Sequence, residues 1–369
     1  MIVGIPKEVF LGERRVALVP NSVALLVKSG FDVIVQSKAG NESMISDDEY
    51  VDAGASISKD ARFLYSSADT ILKVQKPLDA EVELFQENTT LICFIQPVAN
   101  SALLQQLSDH KVSVFSMDAI PRIAKAQSMD ALSSMASISG YKAALMAAES
   151  MSKYLPMMIT AAGTTPPAKG LVIGAGVAGL QSIATAKRLG AVMYAFDVRP
   201  DVEEQVKSLG ANFISTSISA EDAESSGGYA KEIDDGEQHK DREILQNYIK
   251  DMDFVISTAA VPGKPAPLLI TSDMVNGMRP GSVIIDLAAE TGGNCELTRP
   301  GETHKHNGVM VSGPLNVPSS MPLHASQLYS RNVYNLLMHI MKEDDLKVDS
   351  EDEIILNSRI AYKGTVLSK

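Results

Sequence analysis

Short apolar and β-branched runs alternate with helical patterns along the first third of the chain. The runs at residues 2–5, 32–36, 70–74, 90–95 and 112–116 predict strands, and the amphipathic patterns at 21–29 and 101–109 predict helices between them. Pro20 and Gly30 bracket the first of these helices, as is typical of helix boundaries. The alternation predicts a doubly wound parallel sheet.

The rest of the chain repeats this alternation after a long helical segment rich in alanine and methionine at residues 129–151. Strands are predicted at 171–173, 192–196, 254–258 and 282–287, with helices at 180–189 and 272–278. A last amphipathic helix at 327–341 is expected to return to the first domain. The predicted fold is therefore α/β with two doubly wound, Rossmann-like domains, residues 1–130 plus 325–369 and residues 131–324, and the cleft between them is the default ligand site.

A glycine-rich turn follows the first strand of the second domain. Residues 172–180 read VIGAGVAGL, which places three glycines in the spacing G-x-G-x-x-G. The first glycine of such a turn permits a tight bend, the second lets the backbone approach a pyrophosphate, and the third lets the helix pack on the strand. The pyrophosphate then lies at the positive end of the helix dipole. The predicted cofactor-binding residues of this turn are Gly174, Ala175, Gly176, Val177, Ala178 and Gly179.

Asp197 closes the next predicted strand and indicates which dinucleotide binds. A carboxylate at that position hydrogen-bonds the adenosine ribose hydroxyls of NAD and repels a 2′-phosphate. Arg199 could in principle receive that phosphate, but a solvated loop charge is the favoured interpretation because Asp197 occupies the key position. The sequence therefore predicts NAD(H) as the cofactor.

Composition narrows the class of protein without changing the fold. The 369 residues are 45% hydrophobic, and their formal net charge of −12 argues against a nucleic-acid-binding surface. The two cysteines, Cys93 and Cys295, exclude a disulfide scaffold and a cysteine-rich zinc site and fit a reducing compartment. No run approaches the ~20 uninterrupted apolar residues of a spanning helix, so no direct membrane span is expected.

Residues 122–134, with the sequence RIAKAQSMDALSS, connect a predicted strand to the long helix. They therefore lie at the carboxyl end of a strand, where open α/β sheets bind ligands. Arg122, Gln127, Asp130 and Ser133 offer donors and acceptors suited to a carboxamide and to ribose hydroxyls. The segment also fits a helix N-terminus, with Ser128 as the cap and Asp130 favouring the dipole, and the pattern does not decide between the two.

The polar and acidic stretch at residues 215–246 predicts a long loop. Tyr229, which two glycines precede, suggests a mobile flap that closes over a bound nucleotide. A solvated loop with an incidental tyrosine is an equally good interpretation.

The histidines do not indicate a metal site. His304 and His306 are two residues apart without a third ligand nearby, so a solvated loop is favoured and no metal is predicted. His110 is expected at the end of a helix, where a cation suits the dipole.

Several motifs together resemble a known family. Residues 4–8 (GIPKE) and 13–18 (ERRVAL) resemble the opening shared by alanine dehydrogenases and proton-pumping nicotinamide nucleotide transhydrogenases. The transhydrogenase branch is resembled by residues 122–134, 172–179, 228–231 (GYAK), 262–267 (PGKPAP) and 286–296 (DLAAETGGNCE). Over essentially its whole length the chain is similar to the NAD(H)-binding component of these transhydrogenases. That component is their domain I, the soluble part of the alpha subunit.

The departures from alanine dehydrogenase favour the transhydrogenase branch. That enzyme family has Lys-Val-Lys-Glu-Pro, whose second lysine meets the substrate, where residues 73–77 here read KVQKP. Its catalytic histidine lies in a Phe-Leu-His run, where this chain has Gln96. Two glutamines cannot accept the protons that alanine oxidation releases, and Lys76 is one residue out of register, which reverses side-chain direction in a strand. Arg15, the family's partner for the substrate carboxylate, is retained.

The resemblance implies direct hydride transfer between NADH and NADP⁺ bound on a partner domain, coupled in the complex to proton translocation. Arg122, Gln127, Asp130 and Ser133 would be the catalytic residues that position the nicotinamide and its ribose, with Gln127 reaching toward the partner's nucleotide. Tyr229 would close over NAD(H). The remaining expected cofactor-binding residues are the glycine turn at 174–179 and Asp197, Val198, Arg199 and Ala259.

The resemblance also implies the partners and the location. It implies a homodimer that docks on an NADP(H)-binding domain and a membrane proton-channel domain, as a soluble, peripheral component at the cytoplasmic face of a bacterial inner membrane or at the equivalent matrix side. The alternatives are an amino-acid dehydrogenase with an altered substrate site and a regulatory NAD-sensing module without catalysis.

Overall fold

The computed structural model describes residues 1–215, 235–260, 264–342, 345–346 and 351–367. The chain forms two compact units. Unit 1 contains Met1–Met135 and Pro318–Lys369, and unit 2 contains Ala136–Val317. The sequence of unit 2 is thus inserted between the two segments of unit 1.

Strands and helices alternate along the described residues. The strands are β1 (Ile2–Ile5), β2 (Asp32–Gln36), β3 (Ser56–Ser58), β4 (Thr70–Leu72), β5 (Thr90–Cys93), β6 (Ser113–Ser116), β7 (Met158–Thr160), β8 (Gly163–Thr165), β9 (Lys169–Ile173), β10 (Val192–Phe196), β11 (Asn212–Ile214), β12 (Phe254–Ser257), β13 (Val283–Asp286), β14 (Thr303–His306), β15 (Val309–Ser312), β16 (Met341–Lys342), β17 (Asp345–Leu346), β18 (Arg359–Tyr362) and β19 (Thr365–Val366).

The helices are α1 (Pro20–Lys28), α2 (Asp47–Asp52), α3 (Ala61–Ser67), α4 (Asp79–Val82), α5 (Ser101–Asp109), α6 (Ala131–Ser150), α7 (Val177–Arg188), α8 (Glu203–Ser208), α9 (Asp235–Ile249), α10 (Ser272–Asn276), α11 (Pro322–Ile340) and α12 (Glu353–Ser358). Short 3-10 turns span Asn41–Ser43, Ala124–Met129, Pro200–Val202, Ala289–Thr291 and Val317–Ser320. Within the described ranges, no helix is long and apolar enough to cross a membrane.

The sheet of unit 1 has the order β3-β2-β1-β4-β5-β6-β18-β19. Strands β1 to β6 run parallel, and β18 pairs antiparallel with β6. Strands β4, β5 and β6 are buried along their whole length, which explains why the sequence shows short unbroken apolar and β-branched runs there. The order of the strands reverses between β1 and β4, and a reversal of this kind is the switch point of a doubly wound sheet.

The sheet of unit 2 has the order β11-β10-β9-β12-β13-β15-β14 and is parallel except for the edge strand β14. Leu171 and Val255 belong to one apolar cluster, whereas their neighbours Val172 and Ile256 belong to another. Because successive side chains of a strand point to opposite faces, both faces of this sheet are buried. Its switch point lies between β9 and β12. The predicted fold class, two doubly wound α/β sheets, is confirmed.

Helix α11 connects distant segments of unit 1. The Ser326 hydroxyl accepts the Val16 N–H at 3.0 Å, and the Tyr329 hydroxyl donates to the Lys73 carbonyl at 2.7 Å. The helix predicted at 327–341 is confirmed, and it begins earlier, at Pro322, because proline suits the first turn of a helix.

His304 and His306 lie in the antiparallel edge strand β14 and not in a loop, so that expectation was wrong. All four residues of β14 are polar, so this strand lacks the apolar run that marks a buried strand, and the sequence pattern did not reveal it. His306 Nε2 lies 2.9 Å from Asn276 Oδ1. His110, in contrast, ends α5 as predicted.

The long loop predicted at 215–246 is also wrong in its second half, because α9 occupies residues 235–249. Leu245 and Ile249, spaced four residues apart, are fully buried in the core of unit 2. This narrow apolar stripe holds an otherwise polar helix against the sheet, and it is too narrow to stand out in the sequence.

Candidate functional site

The turn after β9 is shaped by its glycines. Gly174 has φ +92°, a left-handed conformation that favours glycine, and its N–H donates to the Phe196 carbonyl at 2.8 Å. A Cβ atom on Gly179 would lie 1.9 Å from the Gly174 carbonyl oxygen, so α7 packs on the turn at a distance that excludes a side chain. A Cβ atom on Gly176 would meet nothing within 4 Å. The turn therefore leaves open space beside Gly176, where α7 begins.

The sequence predicts a pyrophosphate in this open space, and the end of α7 has the matching electrostatics. Helix α7 has 12 residues, with Gly176 at its N-cap and no acidic side chain in its first turn. The first N–H groups of a helix have no partner within the helix, and the helix dipole adds positive potential at the same end. Together they attract a phosphate group, which no carboxylate in the first turn of α7 repels.

Asp197, the residue after β10, accepts four hydrogen bonds. Its Oδ2 accepts the Ala175 N–H at 2.7 Å and Arg199 Nη2 at 2.8 Å, and its Oδ1 accepts the N–H and the Nε–H of Arg199, both at 2.9 Å. The side chains of Asp197 and Arg199 are 5% and 14% exposed. Arg199 is therefore not the solvated loop charge that the sequence favours, because a buried carboxylate requires a paired cation. A ribose hydroxyl that binds Asp197 must replace one of these bonds.

Asn294 fixes the backbone beside the glycine turn, where β12 ends. Its Oδ1 accepts the Ala259 N–H at 3.1 Å, its Nδ2 donates to the Ala259 carbonyl at 2.8 Å, and its own N–H donates to Asp286 at 2.8 Å. The Thr258 hydroxyl donates to the Gly174 carbonyl at 2.9 Å and joins the two sides of the switch point. The sequence analysis predicts Ala259 as a cofactor-binding residue but does not predict Asn294. The sequence signal for Asn294 is its place in the motif at residues 286–296.

Four of the predicted site residues surround one depression in unit 1. Arg122, Gln127, Asp130 and Ser133 line a volume of about 350 Å³, together with the residues at positions 121, 123 and 124. Gln127 is exposed at the tip of the turn Ala124–Met129, whereas Ala126 and Met129 of the same turn are buried. The turn therefore presents an amide side chain outward from a fixed base.

Asp130 caps α6. Its Oδ1 accepts the Ser133 N–H at 2.8 Å, and its Oδ2 accepts the Ser133 hydroxyl at 2.5 Å. The predicted cap, Ser128, was wrong, because α6 begins at Ala131 and the Asp130 carboxylate caps it. The Ser128 carbonyl accepts the side-chain amides of Asn332 and Asn335 at 2.9 and 3.0 Å. The segment is thus a helix N-terminus, with the cap two residues later than predicted.

The predicted site residues fall into two groups, one in each unit. Arg122, Gln127, Asp130 and Ser133 belong to unit 1, whereas the turn at 174–179 and the residues at 197–199 and 259 belong to unit 2. Tyr229 lies outside the described residues, as do the rest of 228–231 and residues 261–263. Among the residues that are described, no cluster of three or more His, Cys, Asp or Glu side chains could hold a metal ion.

The carboxyl edge of the unit 1 sheet carries a buried ion pair between Arg15 and Glu13. Arg15 donates from Nε at 2.7 Å and from Nη2 at 2.6 Å to the two carboxylate oxygens of Glu13. Gln75 Nε2 also donates to Glu13, at 2.8 Å. Burial alone would raise the pKa of Glu13, but the Arg15 guanidinium lowers it to about 2. The Gln75 amide therefore stabilises the Glu13 carboxylate of this ion pair.

The second glutamine of this edge is held through its backbone. Gln96 has φ +50°, and its N–H donates to Asp118 Oδ2 at 2.9 Å. The nearby ammonium of Lys76 donates to Asn100 Oδ1. The neutral amide side chains of Gln75 and Gln96 cannot accept a proton from a substrate, so these two positions offer no general base.

Lys73 and Glu8 meet at the switch point of unit 1, since they follow β4 and β1. Lys73 Nζ lies 3.2 Å from Glu8 Oε2 and 2.7 Å from Glu81 Oε1, and the Lys73 and Glu8 side chains are 1% and 3% exposed. Burial alone would lower the pKa of Lys73, but the two carboxylates raise it above its ordinary value. For Glu8 burial dominates and raises the pKa. We call Glu8, Lys73 and Glu81 the buried ion cluster.

The two units offer different kinds of hydrogen-bonding groups. The turn of unit 2 offers backbone N–H groups for an anion, and the depression of unit 1 offers neutral and charged hydrogen-bonding groups for a polar ring and a ribose. The groups that line the depression are suited to holding a ligand and include no histidine, lysine or cysteine among the described residues.

Comparison with known proteins points to one family. Residues 4–139 match the family described as "Alanine dehydrogenase/PNT, N-terminal domain", and residues 143–369 match "Alanine dehydrogenase/PNT, C-terminal domain". Together these matches cover nearly the whole chain.

Individual relatives are of two kinds. The chain is 45% identical to the NAD(P) transhydrogenase subunit alpha of Haemophilus influenzae, over 99% of this chain and 71% of that protein. The NAD(P) transhydrogenase subunit alpha of Cereibacter sphaeroides is 42% identical, over 99% of this chain and 71% of that protein. The alanine dehydrogenase of Staphylococcus saprophyticus is more distant, at 32% identity over 87% of this chain and 82% of that protein.

A solved structure supports the same relationship. The transhydrogenase from Sinorhizobium meliloti superposes with a TM-score of 0.87 at 39% identity, covering 100% of this chain and 99% of that one.

Proposed function

The chain belongs to the alanine dehydrogenase/PNT family, and within it we propose that the chain is the NAD(H)-binding component of a proton-translocating transhydrogenase. In this role it transfers hydride directly between NADH and NADP⁺ held on a partner domain. The identity to transhydrogenase alpha subunits supports the branch, and the site supports the choice of reaction and nucleotide.

The observation that carries the proposal is the pair of glutamines at positions 75 and 96. Alanine oxidation needs a group that accepts protons from the amine and from attacking water, which is a task for histidine or lysine. Gln75 instead donates to Glu13, and Gln96 is anchored to Asp118. Hydride transfer from one carbon to another exchanges no proton at carbon, so it needs no such group.

The residues of this chain bind, orient and shield the reacting ring. A bound nicotinamide supplies the hydride at its C4 carbon. The glycine turn at 174–179 holds the pyrophosphate, and Asp197, with Val198 and Arg199 beside it, holds the adenosine ribose. Ala259 lies on the other side of the same switch point. The carboxylate of Asp197 selects NAD(H) over NADP(H) by repelling a 2′-phosphate.

In unit 1, Arg122, Asp130 and Ser133 orient the nicotinamide and its ribose. Asp130 and Ser133 already bind each other, so they present a fixed pattern of acceptors and donors. Gln127, exposed at the tip of its turn, reaches toward the partner's nucleotide. Holding two rings with their reacting atoms about 3–3.5 Å apart, away from water, supplies most of the catalysis.

The partners follow from the same assignment. The chain acts as a homodimer that docks on an NADP(H)-binding domain and on a membrane domain that conducts protons. It is peripheral at the cytoplasmic or matrix face of that membrane, and proton translocation occurs in the membrane domain. The name "subunit alpha" of the relatives supports assembly with other subunits.

One experiment tests the reaction. The purified chain is mixed with an NADP(H)-binding transhydrogenase domain, NADPH and an NAD analogue of distinct absorbance. Reduction of the analogue that requires both proteins is the expected result. A parallel cuvette contains this chain alone with NADH, pyruvate and ammonium, and oxidation of NADH there, without transfer in the first cuvette, would assign an amino-acid dehydrogenase instead. Binding of NADH without either reaction would assign a nucleotide sensor.

Gln127→Asn tests the residue that faces the partner. Shortening this side chain by one methylene is expected to slow hydride transfer far more than it weakens NADH binding, because the pyrophosphate and adenosine contacts are untouched. Ser128→Ala, next to it in the chain, is the control, because the contact of Ser128 with Asn332 is made by the backbone carbonyl and remains in this variant. Equal losses of rate and affinity in Gln127→Asn would refute the proposed role.

A further inference from the structure

The turn that carries Gln127 is held from a distant segment of the chain. The Ser128 carbonyl accepts two side-chain amides, from Asn332 at 2.9 Å and from Asn335 at 3.0 Å, across 204 and 207 residues of sequence. The two asparagines are three residues apart on α11 and therefore lie on the same face of that helix. Both donors converge on one acceptor next to Gln127.

The helix that supplies these amides is a firm support. Val333, Leu336 and Leu337 are fully buried in unit 1. Tyr329 of the same helix binds the Lys73 carbonyl, so α11 cannot shift without breaking contacts at the carboxyl end of β4. A side chain on a packed helix holds its partner more tightly than one on a loop does.

The amide of Asn332 is more than a packing group. Asn332 is 6% exposed, and its Oδ1 is buried without a hydrogen-bond partner among the described residues. A buried amide oxygen in that state costs about 1–3 kcal/mol, so a leucine of similar shape would be at least as stable there. What leucine cannot do is donate a hydrogen bond to Ser128.

A second tie to the same turn is weaker. Lys125 Nζ donates to Asp352 Oδ2 at 2.8 Å, but the Lys125 side chain is 65% exposed. Exposed ion pairs contribute about 0–1 kcal/mol and are screened by salt. Burial of Ala126 and Met129 fixes the base of the turn, and of these two polar ties to its exposed part the two asparagines are the stronger.

We propose that Asn332 and Asn335 are positioning residues for hydride transfer: they fix the Ser128 carbonyl and thereby the direction in which Gln127 projects. This inference rests on the proposed function. They act through the turn and touch no nucleotide. Neither residue lies in a motif that marks the site.

The test compares Asn332→Leu, Asn335→Leu and the double variant in the two-protein transfer assay. Each single variant keeps one amide and is expected to slow transfer by less than about threefold. The double variant is expected to slow it by about tenfold or more, because a small displacement of a positioned group is costly. The NADH dissociation constant should change by less than about threefold, and the midpoint of thermal unfolding should not fall in Asn332→Leu. Asn247→Leu is the matched control, since that exposed asparagine donates to the Glu243 carbonyl one turn earlier in its own helix.

Hydrogen exchange of residues 124–130, measured by mass spectrometry on the chain alone, separates this inference from the reaction. Faster exchange in the double variant, together with slow transfer and unchanged affinity, supports it. Transfer at the wild-type rate in the double variant overturns it. A wild-type chain that moves no hydride overturns the proposed function, and the exchange rates then still decide whether the amides hold the turn.

Discussion

The five strands around the switch point have the same order in units 1 and 2, and the units differ in what lies where that order reverses. At the switch point of unit 2 a turn of backbone and small residues leaves open space beside Gly176. At the switch point of unit 1 the buried ion cluster of Glu8, Lys73 and Glu81 fills the corresponding place with the chain's own charges. The same local strand order thus gives one switch point that is open and one that is closed.

The difference shows that the strand order alone does not make a binding site. Open α/β sheets bind ligands at the switch point because two loops diverge there, but the side chains decide whether the gap is filled. In unit 1 the ligand-binding candidates lie instead after β6, at Arg122 and Gln127, toward the edge of the sheet. The buried ion cluster at the switch point of unit 1 therefore has a structural role.

The largest expected effect is that of opening the closed switch point. Lys73→Met leaves Glu8 and Glu81 buried without their cation, and removing one partner of a buried pair costs about 3–5 kcal/mol. Urea unfolding at neutral pH measures this loss. Lys111→Met is the matched control, because its ion pair with Glu87 is more than half exposed and should contribute less than about 1 kcal/mol. Similar small losses in both variants would contradict the structural role.

The pH dependence of the free energy of unfolding should reveal the ion pair between Glu13 and Arg15. The pKa of Glu13 is about 2 in the folded chain against an ordinary value of 4.5. A lowered pKa contributes stability above pH 4.5, and that contribution is lost as the pH falls toward 2. It amounts to at most about 3 kcal/mol. Glu13→Gln should therefore be less stable than wild type at neutral pH, with a difference that shrinks in acid, and a difference independent of pH would refute the assignment.

Two glycines of unit 2 should respond differently to the same substitution. Gly179→Ala forces α7 away from the turn, so both the thermal unfolding midpoint and the NADH affinity should fall, the affinity by about a hundredfold, or ~2.7 kcal/mol. Gly176→Ala places its methyl group in open space and should leave the midpoint near wild type while it weakens NADH binding. Full NADH affinity in Gly176→Ala would mean that the open space holds no pyrophosphate.

The smallest expected effect concerns the choice of nucleotide. Asp197→Ala removes the carboxylate and releases Arg199, whose guanidinium can then meet a 2′-phosphate. The ratio of the NADPH and NADH dissociation constants should fall by about tenfold, or ~1.4 kcal/mol. Asp201→Ala, an exposed acid four residues on, is the control. An unchanged ratio in Asp197→Ala would show that another residue selects the nucleotide.

Much of the fold could be predicted because buried parallel strands are short apolar runs. Strands β1, β2 and β10 have the predicted bounds for this reason. The edge strands β14 and β19 were not predicted, because β14 is polar and β19 has two residues. Strand β18 was missed as well, because only two of its residues, Ile360 and Ala361, form its apolar run. The glycine turn was recognisable since its spacing reflects backbone geometry that glycine permits.

The contacts of the predicted site residues were harder to predict than the strands. Arg199 was misjudged because nothing in its spacing from Asp197 shows that the side chain folds back. Ser128 was misjudged for a related reason, since serine and aspartate are both good caps and the choice depends on where the helix begins. Asn332 was missed altogether, because its partner is 204 residues away and no local pattern records such a contact.

The inserted position of unit 2 has a consequence for synthesis. Unit 2 is continuous from Ala136 to Val317, so all of its strands have been synthesised before the second segment of unit 1 is made. Helix α11, which binds Val16 N–H and the Lys73 and Ser128 carbonyls, belongs to that second segment. Translation adds about 5–20 residues per second, so roughly 10–40 seconds separate the synthesis of the amino-terminal strands of unit 1 from that of α11. During translation the glycine turn at 174–179 is therefore made before α11, and the turn that carries Gln127 acquires the support of that helix only afterwards.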